Sequence, residues 1–149
     1  MTKNLFAFAA LSMISISAFA TPKAMDPARV PQYQRAVKEA LAVSNLLCKQ
    51  QDGQTFDAKT ISVVGSSEVQ TGWVDLSGAQ PSISLIYASS SGTRNVLTMK
   101  TSTDNKRILS VFQESFAQKD ANLGTILDPQ FGKIEVKVSS FLCLPKVTP

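Results

Sequence analysis

Three groups of residues in this chain have side chains that can do chemistry. The first is a set of carboxylates, Glu68, Asp75 and Glu114, which in pairs could act as general acid and base, as sugar-bond hydrolysis requires. Their spacing does not say which of them converge, and carboxylates on strand faces are usually just solvated. The second runs from Asp120 through Asn122 to Asp128, with oxygen ligands spaced somewhat as in a calcium loop. It lacks glycine at the sixth position and has Phe131 where the bidentate glutamate belongs, so it reads as a solvated connection and no metal site is expected.

The third group is aromatic. Trp73 and Tyr87 share odd parity with Val69, Ile83 and Leu85 on neighbouring predicted strands. That parity makes them core aromatics beneath a helix. With Arg94 and Lys100 beside them, the alternative is a binding patch for a peptide, glycan or protein. The serine-rich 89–94 loop could offer backbone donors to an anion, but a hairpin of that composition needs no ligand to explain it.

What is missing narrows the chemistry further. The chain has no histidine, which removes imidazole metal sites and every histidine-dependent triad. It also lacks a Gly-x-Ser-x-Gly elbow, a Ser-x-x-Lys pair and a phosphate-cradling glycine loop. The 103–105 stretch, Thr-Asp-Asn, is a turn rather than part of a β-lactamase set, since no nucleophile motif accompanies it. No cofactor is expected. Fifteen basic and eleven acidic residues give a formal charge of +4, scattered without a concentrated patch, so nucleic acid is not an expected partner.

The two cysteines, Cys48 and Cys143, carry covalent rather than catalytic meaning. Lys3, an apolar run over 5–19 and Ala18-Phe19-Ala20 together form an export signal with cleavage after Ala20. The run is shorter than the roughly 18 residues a spanning helix needs, so no transmembrane segment is expected after cleavage. Removing 20 of the 149 residues leaves 129, one domain's worth, and lowers the charge to +3 because only Lys3 is lost. In an exported chain two cysteines predict one disulfide, Cys48–Cys143, which excludes a thiolate nucleophile.

The elements that must hold these residues follow from periodicity. Residues 21–30, with two prolines, read as a flexible arm carrying one turn begun by Asp26 and Pro27; a single domain occupies 31–149. Val30, Tyr33, Val37, Ala40, Leu41, Ser44, Leu47 and Cys48 recur at three- and four-residue steps, predicting a helix over 31–50 that ends by presenting Cys48. Pro31 suits its start, Lys49 its negative end, and Gly53 its stop.

Strands are predicted over 60–64, 68–76 with a bulge at Gly72, 82–88, 94–101, 107–117 and 133–142. The 107–117 stretch is ambiguous, because Ile108, Phe112 and Phe116 share a face under either period. Its place in a meander favours a strand. In the last strand Ile134, Val136, Val138 and Leu142 point inward, and Lys133, Glu135 and Lys137 outward. Cys143 has the parity of Lys137, so strict alternation aims it away from the core; a bulge near Ser139 and Ser140, or chain leaving the sheet, would turn it back.

The expected architecture is α+β: one N-terminal amphipathic helix packed on a curved antiparallel meander of five or six strands, closed by the disulfide. A closed small barrel is the alternative. The functional expectation is an exported module, periplasmic or extracellular, that binds or inhibits a protein or envelope component without catalysis. A carboxylate-dependent hydrolase and a self-associating envelope protein are the two other readings.

Overall fold

A computed structural model of the chain describes residues 22–63, 69–89, 92–120 and 133–147. The expected leader, Glu68, the 65–67 turn and the oxygen-rich run beyond Asp120 lie outside the described residues.

The helix, α1, spans Val30–Ala42. Its buried face is Val30, Gln34, Val37 and Leu41, with Tyr33 and Ala40 half-buried beside it. The predicted extension to residue 50 is corrected. Ser44 breaks the helix, its Oγ donating to the Leu41 carbonyl at 2.8 Å, the local side-chain bond that competes with helical continuation. From Leu46 the period is two: Leu46 and Cys48 are buried while Leu47 and Lys49 are exposed. Cys48 therefore sits on a strand, not at a helix end. Gly53, at φ +91°, belongs to the hairpin turn after that strand.

Eight strands form one antiparallel sheet. They are β1 (Lys23–Ala24), β2 (Leu46–Gln50), β3 (Thr55–Asp57), β4 (Val69–Asp75), β5 (Ser82–Ala88), β6 (Arg94–Thr101), β7 (Ile108–Asp120) and β8 (Lys133–Pro145). Their spatial order is β1-β4-β5-β6-β7-β8-β2-β3. The α+β class and the antiparallel meander, β4 to β8, hold. The count of five or six does not, because β1 joins beside β4 while β2 and β3 extend the other edge. The edges β1 and β3 are not paired with each other, so the sheet is open among the described residues.

The predicted strand over 60–64 is also corrected. Ala58–Thr60 is a 3-10 turn capped by Asp57, whose Oδ1 accepts from the Lys59 amide at 2.9 Å, and the strand lies just before it at Thr55–Asp57. Asp26 caps the turn Pro27–Arg29 in the same way, at 3.0 Å from the Ala28 amide. The ambiguous stretch, 107–117, is strand.

Register partners share a sheet face, so the core can be read as rows. One row runs Val74–Ile83–Met99–Val111–Cys143–Cys48–Phe56 across seven strands. The disulfide is part of it. Cys48 and Cys143 are direct cross-strand partners with Cα atoms 3.8 Å apart, both fully buried. It staples β2 to β8, strand to strand, rather than helix to strand. The helix covers this face from the side of β4, β5 and the Ala58–Thr60 turn.

Three register shifts decide which residues join these rows. One lies between Val69 and Thr71 in β4, one at Leu109 in β7, and one at Val138 in β8. Each adds one residue to one strand and exchanges the faces of everything beyond it. The Val138 bulge turns Cys143 inward, as its parity demanded, but it also sends Leu142 outward, correcting the inward placement of Leu142. Leu109 separates Ile108, on the core side, from Phe112 and Phe116 on the outer face. Gly72 is not the bulge. It faces the core, where a Cβ would come within 2.1 Å of the Ser84 carbonyl oxygen.

Candidate binding site

The shift between Val69 and Thr71 separates the two aromatics singled out above. Tyr87 pairs with Val69 and lies on the core face, 4 % exposed. Its hydroxyl donates to Gln113 Oε1 at 2.7 Å, and burial pushes its phenol up to about 12. Gln113 leads on to a buried pair, Ser115 Oγ donating to Asn95 Oδ1 at 2.7 Å. Trp73 pairs with Ser84 and sits on the opposite, outer face, 41 % exposed. Arg94 and Lys100 share that outer face, being in register with Phe116 and Ser110.

The four residues thus do not converge. Arg94 is committed elsewhere: its Nε and Nη2 donate to Glu135 at 2.5 and 2.7 Å, and its guanidinium stacks 4.9 Å from the Phe116 ring centroid. The hydrogen bond to Glu135 raises the Arg94 pKa and holds the Glu135 carboxyl below its ordinary value.

The carboxylates fare similarly. Asp75 on β4 and Glu114 on β7 are three strand spacings apart, roughly 14 Å along the sheet. Asp75 accepts from Ser77, and Glu114 receives Lys137 at 3.5 Å. These two do not face each other across a cleft. Among the described residues no three or more Asp, Glu or Cys side chains converge in a metal-holding group.

Two surfaces are instead assembled by the fold. The first is a groove of about 690 Å³ between α1 and the strand ends. Tyr33, Ala36, Ala40 and Val43 form its helical wall, a stripe at three- and four-residue steps that adjoins the buried stripe. Opposite lie Ile83, Met99 and Ile108. The alanines create the space, since their short side chains leave the gap to the sheet open.

Lys106 and Arg107, from the turn between β6 and β7, stand at the rim with Lys146, which follows β8. That turn is held by its own bonds. Asp104 accepts from the Ser102 hydroxyl and the Lys106 amide, Thr101 Oγ1 donates to Asn105 Oδ1 at 2.9 Å, and Asn105 takes φ +55°. The Ser102 hydrogen bond keeps the Asp104 carboxyl below its usual range. Lys146 donates to Asp57 at 2.7 Å, which lowers the Asp57 pKa too.

The second surface is on the outer face, where Leu47 pairs with Leu144 and Phe112 with Leu142. These four side chains are 38–51 % exposed and floor a groove of about 920 Å³. Trp73 stands in the row of Phe112 and Leu142 but is separated from them by Ser84 and Thr98, whose hydroxyls bond each other at 2.9 Å.

Neither surface was legible from motifs. The signal for the first was a pair of alanines beside the apolar helical stripe, and for the second, leucines whose parity the bulges reverse. No helix among the described residues is long and apolar enough to cross a membrane, and the disulfide is consistent with an exported protein. Compared with family models, curated proteins and solved structures, the chain matches none of them.

Proposed function

We propose that the protein is an exported, non-enzymatic binding module whose site is the groove between α1 and the sheet, and that its ligand is a component of the cell envelope. One observation carries this reading. The Tyr33, Ala36, Ala40 and Val43 stripe leaves an apolar floor uncovered, with a volume inside the range of about 300–1,000 Å³ typical of small-molecule sites. The stapled sheet behind it supplies a rigid wall, so little ordering cost attends binding.

Native mass spectrometry of the protein recovered from its exported compartment tests this. A bound species of constant mass is expected, released by organic solvent and missing from Ala36→Leu, which fills the groove from an exposed helical position. Bare protein in both samples would count against the reading. The same material should begin at Thr21 and contain no thiol that alkylates without reductant.

A second reading, self-association, is favoured by the outer face. Two adjacent cross-strand pairs, Leu47 with Leu144 and Phe112 with Leu142, lie uncovered there, and a second copy of the chain is the partner proposed for them.

A further inference from the structure

The groove has a charge sign as well as a volume. Three cations, Lys106, Arg107 and Lys146, are among the residues that line it, and no aspartate or glutamate is. Lys146 shares its charge with Asp57, and Asp104 lies within the same turn as Lys106 and Arg107. Neither Lys106 nor Arg107 forms an ion pair among the described residues. Tyr33, Ala36 and Ala40 line the same groove as these cations, so the site is itself amphiphilic, apolar on its helical wall and positive on the side of the turn between β6 and β7.

From this we infer that the groove takes a single-chain anionic amphiphile, a long-chain fatty carboxylate, with the hydrocarbon along the Ala36–Ala40 wall and the carboxylate against Lys106 and Arg107. This rests on the groove being the binding site. Burial of the chain supplies affinity through apolar area, and the two cations choose the head. A cationic head would face a like charge at Lys106 and Arg107, and a neutral head would leave Lys106 without an anion, while Arg107 would keep only its longer-range attraction to Asp104.

The test uses the mature, oxidised protein and four probes below their micelle-forming concentrations: octanoate, dodecanoate, dodecyl maltoside and dodecyltrimethylammonium. Binding is read by amide and methyl chemical-shift changes. Dodecanoate is expected to shift Ala36, Ala40 and Ile108, and to bind more tightly than octanoate by up to about fourfold per added methylene. Dodecyltrimethylammonium should leave the groove unperturbed. Lys106→Ala with Arg107→Ala should weaken dodecanoate roughly five- to tenfold, and Ala36→Leu should abolish its binding.

If dodecyl maltoside or dodecyltrimethylammonium occupies the groove as tightly as dodecanoate, the anionic class is overturned and the groove reading stands. If every shift maps to Leu47, Leu142 and Leu144, or if no probe causes any, the groove reading falls with it.

Discussion

At the level of single residues, Tyr87 shows how burial turns an ordinary phenol into a pH-sensitive contact. Its folded pKa of about 12 exceeds the unfolded value of 10.0, so the native state retains a proton that the unfolded chain releases. The resulting stability is fully present below pH 10 and is lost as pH rises from there through 12, by about 2–3 kcal/mol. Urea titrations across that window should show the loss in the wild type and a smaller one in Tyr87→Phe. At neutral pH the variant should itself be about 1 kcal/mol less stable, because the half-buried Gln113 carbonyl loses its donor. Gly72 is a second such position. Gly72→Ala would drive a methyl into the Ser84 carbonyl, so a loss of about 1–3 kcal/mol or more is expected by the same measurement.

Among elements, the bulges explain both what could be read in advance and what could not. The alternation of 82–88 and 94–101 located β5 and β6, since neither strand carries an extra residue. The pairing of Cys48 with Cys143 followed from compartment and count alone. The faces of Trp73, Phe112 and Leu142 could not be read, because one inserted residue reverses parity and leaves no mark in composition. The helix end was hidden for a related reason: Leu47 and Cys48 continue three- and four-residue steps from Ser44 as well as they fit a strand. The groove was hidden because it depends on missing volume at Ala36 and Ala40, and periodicity records only which residues are apolar.

The bulge account can be tested by deleting Val138. The residue removed is the extra one, so Ser139 can stay opposite Ser115 and Lys137 opposite Phe116, and both halves of β8 keep their faces. The deletion should therefore retain the disulfide by non-reducing mass spectrometry and leave the NMR shifts of Arg94 and Glu135 close to those of the wild type. Two alkylatable thiols, or loss of the Arg94–Glu135 pair, would show that one half had changed faces and that Val138 is not the inserted residue.

On the scale of the whole molecule, the staple and the uncovered face dominate. The bridge closes a separation of 95 residues, so Cys48→Ala with Cys143→Ala should lower the unfolding free energy by roughly 4–5 kcal/mol in urea. A loss near zero would mean that packing between β2 and β8 already restrains the unfolded chain. For the outer face, sedimentation velocity should show a dimer in the wild type and a monomer in Leu142→Lys, since a charge in the centre of the leucine rows opposes their burial against a copy. An unchanged monomer in both would remove self-association as a role for that face.

The strand order also imposes a timetable. β2 is synthesised well before its sheet neighbour β8, and the 95-residue separation of Cys48 from Cys143 must be spanned before the two strands can pair. Until then one sulfur waits, open to mixed disulfides with other thiols, and its oxidation reports that β8 has docked. Pulse-labelled chains trapped at successive lengths would acquire the bond abruptly, at the length that exposes Cys143, rather than by degrees.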